Sequence, residues 1–121
     1  MPLVFVVDDD EDILDSLKIW FTKREYEVET FNSGKDLLAE VNLRKPDLIM
    51  MDVRLQGQSG LNLSRDIKEQ VKYPVKILLA SGDPAALLSY EYGYADGILH
   101  KPFLLSELEG KIRKVLNPNK W

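Results

Sequence analysis

The sequence predicts an α/β fold: a doubly wound (βα)5 sandwich of three layers with a five-stranded parallel sheet in the middle. Two observations carry that prediction. Short apolar runs alternate with helical stripes along the whole 121-residue chain, the pattern of βαβ units whose strands are covered on both faces. Four of those runs also stop abruptly at polar residues, as strands do when their carboxyl ends open onto a ligand crevice.

Leu3 to Val7, "LVFVV", is a continuous apolar run with β-branched residues and reads as a buried strand. Ile13, Leu14, Leu17, Trp20 and Phe21 follow at helical spacing, and the acidic residues before them suit the positive end of a helix dipole. "YEVETF", Tyr26 to Phe31, mixes β formers with glutamates, as an exposed edge strand does. Ser33 opens a capping-box-like "SGKD", with Leu37, Leu38 and Val41 as the apolar stripe of the next helix. Leu48 to Met51 is another buried strand, preceded by Pro46 and ended by Asp52.

After the loop Val53 to Gly60, Leu63, Ile67 and Val71 mark a third helix. Val75 to Ala80 is a fourth strand, and Asp83 with Pro84 announces a helix that Gly93 would end. "YEYGY", Tyr90 to Tyr94, crowds aromatics at that end, a pattern of packing more than of partner binding. Gly97 to His100 is a short fifth strand. "SELE", Ser106 to Glu109, caps a last helix that turns Leu108, Ile112, Val115 and Leu116 inward.

Composition narrows the function. The length suits one domain, expected to span residues 1–121. Sixteen Lys and Arg against twenty Asp and Glu give a net charge of −4, which argues against a nucleic acid partner. The lack of cysteine removes disulfides, thiolate metal sites and thiol nucleophiles. A single histidine, His100, cannot build a multi-histidine metal site, and it reads as a strand residue. The N-terminal apolar run is too short for an export signal and no run is long enough to span a bilayer, so a cytoplasmic location without membrane contact is expected. "NPNKW" follows the last helix with no effector sequence, as in a stand-alone module or a fragment of a longer one.

The polar residues at the strand ends are Asp8 and Asp9, Asp52, Ser81 and Lys101. Gathering carboxylates is costly unless a cation joins them. Hard oxygen donors suit Mg²⁺, which is commonly held by a few carboxylates plus a phosphate, and a lysine and a hydroxyl can take the remaining phosphate oxygens. Such a set can place a phosphoryl group on a carboxylate. Asp10, Glu11 and Asp12, by contrast, read as a solvated helix start.

From "FVVDDDED" through "PDLIMMDVRLQGQSG" and "LLASGD" to "ADGILHKPF", the chain resembles the receiver domain of two-component response regulators nearly end to end. The resemblance implies a flavodoxin-like fold with strand order 2-1-3-4-5. It implies that Asp52 accepts a phosphoryl group from the phosphohistidine of a sensor histidine kinase or a histidine phosphotransfer protein. Asp8, Asp9, Asp52 and the backbone carbonyl of Arg54 would hold Mg²⁺, with Asp8 acting mainly through water. Lys101 would pair with the phosphoryl oxygens, Ser81 would hydrogen-bond to them, and the Lys101–Pro102 peptide would be cis.

A phosphorylation-dependent switch for a downstream effector follows, one that modifies itself but turns over no separate metabolite. The alternative is a relay intermediate that passes the group to a histidine protein. Homodimerisation through the fourth and fifth strand and helix region is also familiar in that family. Three positions depart from its pattern: Ile98 where an aromatic is usual, Gln56 where proline is common, and the opposite charges of Arg54 and Asp83, expected to form a lid pair over the acceptor.

Overall fold

The computed structural model describes residues 1–83 and 94–117. Its elements are β1 (Leu3–Val7), α1 (Glu11–Lys23), β2 (Glu27–Phe31), α2 (Leu37–Arg44), β3 (Leu48–Asp52), β4 (Arg54–Leu55), β5 (Gln58–Ser59), α3 (Gly60–Gln70), β6 (Lys76–Ser81), β7 (Gly97–His100) and α4 (Leu105–Leu116). The main sheet runs β2-β1-β3-β6-β7 with every pairing parallel, which is the expected 2-1-3-4-5 order once the small β4–β5 hairpin is set aside.

Because side chains alternate across a strand, each central strand feeds two cores. Phe5, Val7, Ile49, Met51, Ile77 and Leu79 pack under α2 and α3. Val4, Val6, Leu48, Met50, Leu78 and Ala80 meet Leu14, Leu17, Trp20 and Phe21 of α1 and Leu108, Ile112 and Val115 of α4. The three layers arise from this split. On the edge strand β2, Glu27 and Glu29 point to solvent and are clasped by Arg44 at 3.3 and 2.9 Å, leaving the edge charged.

Helix starts depart from expectation in two places. Ser33 does not cap α2: its Oγ accepts the Lys35 N–H at 3.3 Å within a turn, and the helix begins at Leu37 after Asp36 in left-handed backbone, φ 61°. The turn takes the residues that a capping box would have used. In α4 the helix starts at Leu105, one residue before the expected cap Ser106, and the Glu107 carboxylate accepts the Leu104 N–H at 3.0 Å.

The β4–β5 hairpin was not legible in the sequence. Arg54 pairs with Ser59, Gly57 turns at φ 74°, and Ser59 then caps α3 through the Asn62 N–H. Gly60 follows so closely under β3 that a Cβ there would collide with the Asp52 carbonyl oxygen. Ile98 is half-buried and pairs in register with Leu79. The helix expected between Asp83 and Gly93, with Tyr90 and Tyr92, lies outside the described residues, as does much of the expected dimer region. Among the described residues no helix is long and apolar enough to cross a membrane.

Candidate functional site

The carboxyl ends of β1, β3, β6 and β7 bring the expected polar residues to one edge of the sheet. Asp8 follows β1 and is anchored by its own N–H, which donates to the Phe31 carbonyl at 3.0 Å. Its side chain is almost wholly buried: Oδ1 accepts the Asp10 N–H at 3.0 Å and Oδ2 accepts Lys101 Nζ at 2.7 Å. Asp10 in turn caps α1, accepting from Asp12 and Ile13, so the acidic run divides into one member facing the site and one holding the helix.

Asp52 ends β3. Its Oδ1 accepts the Arg54 N–H at 3.0 Å, and its Oδ2 accepts the same Lys101 ammonium at 2.7 Å. Lys101 follows β7, its N–H donating to the Ser81 carbonyl at 2.8 Å, and its peptide bond to Pro102 is cis, as expected. Asp9 is exposed, yet one oxygen from each of Asp8, Asp9 and Asp52 falls within 4.8 Å of the others.

The electrostatics follow from who is paired with whom. Burial lowers the pKa of the Lys101 ammonium, but the hydrogen bonds it donates to Asp52 and Asp8 outweigh that and hold the pKa above the ordinary 10.5. For Asp8, burial is the largest effect and raises its carboxyl above the usual 3.8; Lys101 and the Asp10 N–H pull it back only in part, and Asp52 pushes it up. The lysine has two anions, whereas each anion has a share of one cation. Three carboxylates against one ammonium leave a net −2. An all-oxygen donor set with that deficit fits a hard divalent cation, with water to complete its shell.

Ser81 is buried at the end of β6, but its hydroxyl is turned away from the lysine: it accepts the Asp83 N–H at 3.0 Å and donates to the Asp83 carbonyl at 3.4 Å. Arg54 and Asp83 do meet, in an ion pair spanning the loops after β3 and β6, with the arginine side chain 75% exposed and the aspartate 27%. Beside Asp52 lies a cavity of about 700 Å³ between α1 and the β7–α4 loop, with Ile13, Ser16, Leu17, Phe103 and Leu105 in its walls. Sequence reading missed this cavity, since the gap between α1 and Phe103 is set by packing and not by any motif.

The family model of the response regulator receiver domain matches residues 4–113. The chain belongs to that family. It is 32% identical over 116 residues to the transcriptional regulatory protein AfsQ1 of Streptomyces coelicolor, covering 96% of this chain and 52% of that protein. It is 32% identical over 117 residues to the response regulator ArlR of Staphylococcus aureus, covering 96% of this chain and 53% of that one. The chain thus spans about half the length of these regulators.

Among solved structures, the response regulator TrrA of Thermotoga maritima, in complex with Mg²⁺ and BeF, superposes with a TM-score of 0.88 at 29% identity, covering 96% of this chain and 100% of that one. The chemotaxis response regulator CheY4 of Vibrio cholerae gives 0.87 at 28% identity over 96% and 99% of the two chains. The flavodoxin-like fold is therefore confirmed, and the chain is a receiver domain of phosphorylation-dependent two-component signalling.

Proposed function

We propose that residues 1–121 form a single receiver module that takes a phosphoryl group onto Asp52 from a phosphohistidine of a sensor kinase or histidine phosphotransfer protein. The carrying observation is the shared lysine, 2.7 Å from both Asp8 and Asp52, beside three convergent carboxylates. An Asp52 oxygen attacks phosphorus; the P–O bond forms, the P–N bond breaks, and the imidazole leaves with the electron pair. Mg²⁺ held by Asp8, Asp9, Asp52 and the Arg54 carbonyl would offset charge on the transferring group.

Lys101 already touches the acceptor and passes to a phosphoryl oxygen with little movement. Ser81 would turn its hydroxyl donor from the Asp83 carbonyl, 3.4 Å away, to a phosphoryl oxygen, and the loop carrying Asp83 and its ion pair with Arg54 would shift with it. That shift alters the surface offered to a downstream effector, which supports a switch that turns over no separate metabolite.

The test is intact-protein mass after incubation with Mg²⁺ and acetyl phosphate, for wild type and Asp52→Asn, with a chelated control. A Mg²⁺-dependent phosphoryl adduct absent from the variant supports the assignment. An adduct that persists in Asp52→Asn refutes it.

A further inference from the structure

A second cleft opens at the other end of the sheet from Asp52, where α1 ends and β2 begins, against the last turns of α4. It holds about 340 Å³ between Trp20, Tyr26 and Ile112, with Lys23, Arg24 and Arg113 as cations and Glu25 and Glu109 as anions. None of these residues lines the cavity beside Asp52. Arg113 donates to Glu109 at 3.3 Å within α4, whereas Lys23 and Arg24 have no carboxylate partner among the described residues.

Arg24 is the decisive residue. Its guanidinium lies over the Trp20 ring, 4.0 Å from the centroid, and donates to the Trp20 carbonyl at 3.4 Å. Stacking and that one bond fix the plane of a group with five N–H donors, leaving the others without a protein acceptor among the described residues. The Trp20 indole N–H is likewise buried without an acceptor there, so this wall carries more donors than the protein satisfies. Helix dipoles account for Lys23 and Arg113, which sit in the last turns of α1 and α4. They do not account for a stacked guanidinium whose fork stays open.

We propose that this cleft binds a small phosphate monoester, a sugar phosphate or a nucleoside monophosphate, with the Arg24 fork on two phosphate oxygens and the Lys23 ammonium on the third. The carbon body of the ester fills the remaining space against Tyr26 and Ile112. Charge selects the class: three cations against two carboxylates leave +1, which attracts one phosphate, while Glu25 and Glu109 repel a polyphosphate or a nucleic acid backbone. Size selects within it. Inorganic phosphate would leave most of the cleft to water and forgo the apolar wall.

Isothermal titration calorimetry on the full chain in chelator tests the site, with glucose 6-phosphate, AMP, ATP and inorganic phosphate as probes. Without Mg²⁺ the strand-end carboxylates keep their net −2 and repel all four, so the heat reports the cleft. The expected result is saturation by glucose 6-phosphate or AMP with a Kd below about 1 mM, the tighter of the two naming the body as sugar or nucleoside. Arg24→Lys, which keeps the charge and loses the fork, should weaken that binding at least about tenfold. Thermal unfolding checks its fold, and Lys23→Gln, expected to weaken binding several-fold, takes its place if it does not fold. No saturation by either ester at about 10 mM, inorganic phosphate or ATP binding as tightly as the esters, or wild-type affinity in the folded variant overturns the proposal. Binding that appears only when Mg²⁺ is added places the ester at the carboxylates and overturns it too.

Discussion

Among the described residues Lys101 is the cation shared by two nearly buried carboxylates, Asp8 and Asp52, and its replacement by methionine exposes what it offsets. The Lys101, Asp8 and Asp52 side chains are 20%, 6% and 14% exposed. Removing one partner of a buried ion pair costs about 3–5 kcal/mol, because the other charge stays behind. Residual exposure moves the expectation to the lower end, about 3 kcal/mol in chelator, or roughly 10 °C in Tm for a domain of this size. Methionine keeps most of the aliphatic stem, so the loss reports charge more than packing.

Two further features make the test specific. Any cation in the cage must share the carboxylates that Lys101 now holds, so the variant should bind Mg²⁺ more tightly, each tenfold gain returning about 1.4 kcal/mol at saturation. Acid should also shrink the loss. Asp8 has a folded pKa raised above 3.8, chiefly by burial, so the folded state holds its proton more tightly than the unfolded chain. The stability from that proton is fully present below 3.8 and is lost as pH rises through the folded pKa; without Lys101 the folded pKa climbs further. Urea midpoints in chelator and in Mg²⁺, at several pH values, provide the readout. A variant as stable as wild type in chelator, or one whose deficit grows in acid or ignores Mg²⁺, would refute the reasoning.

Four other perturbations are informative. Asp8→Asn removes a charge whose burial is only partly offset, so the urea midpoint in chelator should rise while Mg²⁺ affinity falls. Arg54→Ala breaks an exposed ion pair worth under about 1 kcal/mol, so stability should hardly move; the phosphoryl lifetime should shorten several-fold, and an equal or longer lifetime would dismiss the lid. Tyr73 donates to the Pro46 carbonyl at 2.8 Å, and burial with help from Asp47 pushes its pKa up to about 12, so an ultraviolet titration of wild type against Tyr73→Phe should show one phenol ionising near that value, its contribution to stability present below 10 and lost as pH climbs through about 12; Tyr73→Phe should cost about 1 kcal/mol. Gly60→Ala would drive a methyl into the Asp52 carbonyl, and a loss of at least about 2 kcal/mol in chemical denaturation is expected.

The sheet was legible because burial writes itself into strands such as "LVFVV" and "DLIMMD", where both faces are covered. The site was legible for a related reason: polar residues at the ends of those runs have few places to go but the shared edge. Turn chemistry was harder. Ser33 satisfies a local N–H either as a cap or in a turn, and only the left-handed backbone at Asp36 decides between them. The β4–β5 hairpin has two-residue strands, too short for any periodicity. The cavity between α1 and Phe103 is a product of packing distance, which no spacing of residues encodes.

The position of Ser81 sets how readily the site responds. In the resting form its hydroxyl donates to the Asp83 carbonyl at 3.4 Å, and redirecting that donor leaves an acceptor unsatisfied at a cost of about 1–3 kcal/mol unless water takes over. A bond to a phosphoryl oxygen is charge-assisted and returns about 1.5–3 kcal/mol. The two nearly cancel. Phosphorylation alone therefore moves the equilibrium between loop positions by a few-fold, and moving it from one extreme to the other requires about 5.5 kcal/mol of differential binding. The remainder must come from a partner that prefers the shifted loop, which makes partner binding and phosphorylation reciprocal: an effector surface that reads the loop should favour the phosphorylated state by the same factor by which phosphorylation tightens its binding.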